Sequence, residues 1–116
     1  MSEIIDVKGL LNLSGNDENF VAEILTLYVK KASSEIDEIK KAAREENWKK
    51  VTFILHRMRS SATPLGLARL QASLKSLEND LKKEITEGAD ERLDEIIERI
   101  KLTVLGAENQ LKHLND

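Results

Sequence analysis

Residues 48–66, WKKVTFILHRMRSSATPLG, contain both a helix and the signal that ends it. Trp48, Val51, Leu55, Met58 and Ala62 recur every three or four positions, and at about 100° per residue this spacing gathers them on one face. Pro64 has no amide hydrogen to donate and disfavours helix at the residue before it, so the helix stops at Thr63 and Leu65-Gly66 makes the corner. Asn47 supplies a cap at the other end.

The same period runs outward in both directions. Upstream, Phe20, Val21, Ile24, Leu27, Tyr28, Ala32, Ile36, Ile39 and Ala43 predict a long helix from Asp17 to about Glu46, with a bend at Ser33-Ser34. Ser14-Gly15-Asn16-Asp17 is turn chemistry, and Asn16 or Asp17 can cap that helix. A short first helix is expected over Ile4, Ile5, Val7, Leu10 and Leu11. Downstream, Leu67, Leu70, Leu74, Leu77, Leu81 and Ile85 form an apolar stripe. Glu87-Gly88-Ala89-Asp90 breaks it, with Asp90 as a cap for a last helix bearing Leu93, Ile96, Ile97, Ile100, Val104, Leu111 and Leu114. Gly106 is expected to mark the close approach of a neighbour. Four long helices joined by short corners predict an all-α, antiparallel four-helix bundle, with the short extra N-terminal helix capping one end.

Composition agrees. The 116 residues suit a single domain spanning 1–116. One proline and five glycines are too few for the turns of a β-sandwich, and an aromatic content of 3% demands an aliphatic core. The absence of cysteine excludes disulfides and thiolate metal sites. No window is apolar enough to span a bilayer, and MSEIIDVKGLLNL lacks the pattern of a signal peptide, so a cytoplasmic location without membrane insertion is expected. A net charge of −3 with interspersed signs argues against nucleic acid as a partner.

Chemistry has few places to sit. There is no glycine-rich phosphate loop, no HExxH motif and no evident acid/base pair, so neither a cofactor nor a metal is expected. Acidic residues fall on polar faces, which predicts a solvated surface. His113 lies among polar neighbours and receives no role. His56 is different: it falls about 100° from the centre of the apolar face of its helix, on a flank shared or bordered by Lys49, Thr52, Phe53, Arg59, Ser60 and Thr63. A partly exposed imidazole is a competent nucleophile near neutral pH. Arg59, one turn on, can offset the charge of an anion on that ring by charge and fork geometry. Phe53, a large apolar group on the outer side, is the candidate for a docking contact. Position alone leaves His56 equally readable as an ordinary surface histidine.

The segment from His56 to Gly66 resembles the phosphoacceptor motif of histidine-containing phosphotransfer (HPt) domains of multistep two-component phosphorelays. That pattern is histidine, any residue, an aliphatic, a basic residue, a small residue and, after four more positions, Leu-Gly. Met58, Arg59, Ser60, Leu65 and Gly66 occupy those slots without a gap. Residues 15–56 are similar to the long helix, short turn and entry into the histidine helix of the family, and LARLQASLKSLENDLKK (67–83) to its next helix, so the likeness covers roughly residues 8 to 114.

The resemblance implies a phosphocarrier with no kinase or phosphatase activity of its own. His56 would accept a phosphoryl group, through Nε2, from a receiver-domain aspartate and pass it to another receiver, with Mg²⁺ supplied by that partner. Arg59 takes the basic position and offsets charge on the transferring group. Pro64, Leu65 and Gly66 shape the corner, and Phe53, Leu65 and Gly66 are assigned to docking, with Ile5, Leu10 and Leu13 as weaker candidates. Response-regulator receivers, and a hybrid sensor kinase, are the implied partners of a monomer. Two positions depart from the pattern. Ser60 replaces a common glycine, and Glu78 stands where many members carry a glutamine near the imidazole. A carboxylate there could hold the Nδ1 proton but would also repel a phosphoryl group. Two other readings are an adaptor bundle with a vestigial motif and the dimerising helix pair of a sensor kinase. Against the latter, Arg57 follows His56 where those helices carry an acidic residue.

Overall fold

The computed structural model describes residues 4–114; the domain expected over 1–116 extends by a few residues beyond them at each end. It is all-helical: α1 (Val7–Leu13), α2 (Glu18–Arg44), α3 (Trp48–Ala62), α4 (Ala68–Lys82) and α5 (Ala89–Leu114), with a 3-10 turn at Thr63–Leu65 between α3 and α4. Among the described residues there is no strand, and no helix is long and apolar enough to cross a membrane.

The first three helices have side-chain caps. Asp6 accepts from the Gly9 amide at 2.8 Å, Asp17 from the amides of Asn19 and Phe20, and Asn47 from that of Lys50. These side chains satisfy amides that the first turn of a helix leaves without partners. α2 runs its 27 residues continuously through Ser33-Ser34, so the bend expected there does not interrupt the helix. Asp90 lies inside the first turn of α5, not before it.

α3 packs on α4 and α2, and α5 packs on α2 and α4, around one aliphatic core. The molecule is a rod 45 × 23 × 21 Å, its length set by the two longest helices. Cross-helix contacts fix the registers. Gln71 of α4 donates to Thr63 at the end of α3, Arg92 of α5 bonds Asp80 and Arg99 bonds Ser73 of α4, and Arg57 of α3 bonds Glu38 of α2.

Within the elements, the buried face departs from the sequence reading in a few places. On α2, Leu25 is fully buried while Phe20 and Leu27 are exposed, because the inward face follows Val21, Leu25, Tyr28, Ala32 and Ile39. Ile54 joins the core of α3. Ile85 lies beyond the end of α4 and is exposed. Gly106 has open space where a Cβ would project, so no neighbour approaches it. On α5 small residues, Thr103 and Ala107, fill the inward positions past Ile100.

α1 lies across the end of the rod. It touches α2 and the 3-10 turn, buries Ile5 and Leu10, and the Asp6 amide donates to the Leu65 carbonyl at 3.0 Å. Leu65 is itself fully buried, so the docking role expected of it does not hold: a side chain sealed in the core offers nothing to a visitor. Ile5 and Leu10 fail as docking residues for the same reason, whereas Leu13 is exposed. Gly66 closes the corner with φ +69°, and a Cβ there would lie 2.9 Å from the Asp6 Cβ. Two constraints, the left-handed backbone and the Asp6 contact, therefore select glycine. Gly66→Ala should lower stability by about 1–2 kcal/mol, the cost of the left-handed conformation for an L-residue. Urea unfolding checks this, an unchanged midpoint being the contrary result.

Candidate functional site

α3 and α4 are locked together by Val51, Leu55, Met58, Leu74 and Leu77, all buried. That packing fixes what stands just outside it. His56 sits on the exposed flank of α3, its side chain 56% accessible. Glu78 projects from α4 into the seam and is 1% exposed. The two meet at 3.2 Å, Nδ1 of His56 to Oε2 of Glu78.

A buried carboxylate is costly unless it is paired and hydrogen-bonded. Glu78 is bonded at Oε2, while Oε1 accepts no hydrogen bond among the described residues and is met only by an ion pair. Lys82, one turn further along α4, places Nζ 3.0 Å from the same Oε2, and Arg59 of α3 places a guanidinium nitrogen 3.4 Å from Oε1. Burial alone would raise the carboxyl, but the hydrogen bonds from Lys82 and His56 and the charges of Arg59 and Lys82 outweigh it and hold the group below its ordinary value. Glu78 is thus an anion, and an ionised carboxylate can only accept. The proton between it and the imidazole therefore sits on Nδ1, and in the neutral ring that puts the lone pair on Nε2. Arg59 comes within 3.4 Å of Nδ1 as well. With that nitrogen protonated, this is proximity and not a hydrogen bond.

Glu78, Arg59 and Lys82 together carry one negative and two positive charges. The repulsion that a carboxylate near the imidazole would exert on an incoming anion is thereby offset. Arg59 is aimed at Glu78 and not out beyond Nε2, so its charge reaches the ring from behind.

The imidazole borders two open grooves. One, of about 650 Å³, is lined by Lys49, Lys50, Thr52, Phe53, Glu78 and Lys82. Phe53 is 63% exposed there, on the outer side of the bundle as the sequence suggests. The other, of about 460 Å³, lies toward α2 and includes Ser34, Glu38, Arg57, Ser60 and Ser61. Ser60 donates to the His56 carbonyl at 3.3 Å, folding back along its own helix and leaving the space beside the ring clear. Arg57 is tied down on this side: it pairs with Glu35 and Glu38 of α2, and its guanidinium lies 5.3 Å from the Phe53 ring centre. Burial pushes Glu35 above its ordinary value, against the pull of Arg57 and Lys31.

The structure brings His56, Arg59 and Glu78 together, with Ser60 and Phe53 on either side. It does not bring Leu65 or Gly66 to the ring; they form the corner beyond the end of α3. His113 is exposed near the end of α5. Sequence reasoning missed Lys82, although a Glu–Lys pair four apart on one helix is a standard ion-pair spacing. It also missed the burial of Glu78 and Glu35, because no periodic argument distinguishes a carboxylate on a polar face from one pulled into a seam by cations on a neighbouring helix.

Residues 23–111 match the family model described as the Hpt domain. The chain belongs to the Hpt domain family, whose members serve phosphotransfer in two-component phosphorelays and interact with receiver domains. Neither the curated proteins nor the solved structures yielded a match.

Since folding holds Glu78 below its unfolded value, its ionised form stabilises the fold above about pH 4.5, and that contribution is lost as the pH falls through the lowered value. The stability difference between wild type and Glu78→Gln should therefore be widest near neutrality and close on acidification below about 4.5. Urea midpoints across pH measure this. A difference that does not vary with pH would mean that ionisation of Glu78 contributes nothing.

Proposed function

We propose that this chain is a phosphorelay intermediate in which His56 accepts a phosphoryl group from a receiver-domain aspartate and hands it to a second receiver. The observation that carries this reading is the arrangement at the ring, with Nδ1 engaged by a buried carboxylate and the imidazole side chain 56% accessible. In the forward step the Nε2 lone pair attacks phosphorus, the N–P bond forms, and the P–O bond to the aspartate breaks with its electrons leaving on the carboxylate. The Nδ1 proton remains between the ring and Glu78. The return step, onto another receiver, is the reverse. Mg²⁺ and the acidic pocket belong to the partner, so this chain contributes a positioned nucleophile and its electrostatic setting.

Arg59 and Lys82 act in this scheme by neutralising Glu78, so that the negative phosphoryl group meets a site of net positive charge. Phe53 supplies the apolar part of a modest, transient docking contact, and Ser60 leaves room for it. The four long helices are read as an antiparallel bundle; the contacts Thr63–Gln71, Ser73–Arg99 and Glu38–Arg57 support that direction for successive pairs. A cytoplasmic monomer that meets its receivers, or a hybrid kinase, one at a time completes the proposal.

Incubation with a phosphorylated receiver should give wild type an acid-labile, base-stable label and His56→Gln none. A label that survives the substitution would remove His56 from the relay. His56→Ala removes one donor from the buried Glu78 and should cost about 0.5–1.5 kcal/mol, the worth of a typical hydrogen bond, with the helices intact; a far larger loss would mean a core role for the ring. Arg59→Ala is expected to slow transfer about tenfold while far-UV circular dichroism stays unchanged, the loss of one charge-assisted contact being of that order. Transfer at the wild-type rate would cancel the part given to Arg59.

A further inference from the structure

The fate of the Nδ1 proton after phosphorylation has a consequence for how long the group stays on the ring. We propose that Glu78 keeps phosphorylated His56 protonated at Nδ1, so that this chain holds its phosphoryl group in a labile, readily surrendered form. This rests on His56 being the phosphorylated residue.

Attack through Nε2 leaves the ring as an N-phosphoimidazolium, with hydrogen still on Nδ1. Whether that hydrogen stays depends on what faces it. Glu78 is buried and anchored in the α3–α4 seam, 3.2 Å from Nδ1. An ionised carboxylate accepts hydrogen bonds and cannot donate one, so it stabilises only the protonated ring. A side-chain amide in the same place could turn its NH₂ toward a bare Nδ1 and stabilise the deprotonated ring instead. The negative phosphoryl group adds to the preference for a cationic ring.

The charged groups around the imidazole are consistent with this. On α4, Glu78 faces Nδ1 and Lys82 holds the same carboxylate oxygen at 3.0 Å. On α3, Arg59 holds the other oxygen at 3.4 Å. On the α2 side, Arg57 pairs with Glu35 and Glu38, away from Glu78. Lys82 and Arg59 keep Glu78 ionised, and neither can take the Nδ1 proton.

The proton decides the quality of the leaving group. When an acceptor carboxylate or a water attacks phosphorus, the P–N bond breaks and its electrons return to Nε2. From the protonated ring the departing species is neutral imidazole, with hydrogen on Nδ1. From the deprotonated ring it is an imidazolate anion, which must find a proton elsewhere. Where water is the attacker, its protons pass to the phosphate product and solvent. The protonated form therefore transfers faster and hydrolyses faster. Such a carrier suits rapid forwarding and is a poor store.

The test uses the whole chain labelled with ¹⁵N-histidine and phosphorylated by phosphoramidate, a small chemical donor that requires no receiver. After the reagent is removed, loss of phosphate at neutral pH is followed for wild type and Glu78→Gln, and the ring nitrogens are read by NMR. Wild type should show a protonated Nδ1. Glu78→Gln should show an unprotonated one and a half-life about fivefold longer, the difference between a charge-assisted and a neutral hydrogen bond. Equal half-lives, a longer half-life with no change in ring protonation, or failure of the reagent to label His56 would overturn the proposal. So would an unprotonated Nδ1 in the wild-type phosphoprotein, a reading that needs no variant. A receiver that cannot load His56 would instead contradict the relay reading, and the chemically loaded protein would still report on Glu78.

Discussion

The contact on which the rest depends is the one between Glu78 and Nδ1 of His56. It places an anion in a helix seam where anions are costly, and it survives because His56 and Lys82 meet one oxygen and the Arg59 guanidinium pairs with the other, from two helices. None of the three would arrive without the backbone. Arg59 and His56 share a flank of α3 by their spacing, Lys82 follows Glu78 by one turn of α4, and the α3–α4 register is held by the leucines beneath. The corner at Pro64-Leu65-Gly66 sets that register. Leu65 is buried, Gly66 takes the left-handed backbone, and Asp6 closes over it from the chain leading into α1. A short terminal helix remote from the ring thus contributes to the geometry at the ring.

The two sides of His56 are built differently. Toward α4 the neighbours are three lysines around the buried Glu78, and an exposed phenyl ring. Toward α2 Arg57 is clamped by two carboxylates, of which Glu35 is buried. The clamp ties the histidine-bearing stretch to α2. A receiver's acidic pocket would meet the positive side with favourable charge and the phenyl ring with apolar surface. Electrostatic complementarity of that kind speeds encounter more than it deepens affinity, as suits a carrier that must release one partner before meeting the next.

Most of this fold was legible in the sequence because helical periodicity is a local property and the breakers are strong. Pro64, the Ser14–Asp17 turn and Gly88 marked the corners, and Asn47 and Asp17 proved to be caps. The errors arose where faces had to be ranked. The spacing selects Leu27 over Leu25 and adds Ile85 to a helix that ends before it, since a stripe of apolar residues does not say which edge turns inward. At the site, the exposure of His56 and Phe53 and the nearness of Glu78 were foreseen. The burial of Glu78 and the place of Lys82 were not, because they depend on how two helices meet. Leu65 illustrates the same limit in reverse: a residue in a motif was given to docking, and packing gives it to the core.

The most direct measurement is the tautomer of the resting imidazole, read from long-range ¹H–¹⁵N correlations of His56 in the unphosphorylated protein near neutral pH. A ring bearing its hydrogen on Nδ1, with Nε2 bare, is the expected result. A ring bearing it on Nε2 would mean that the carboxylate in the seam does not govern the histidine, and that Nε2 is not the nucleophile.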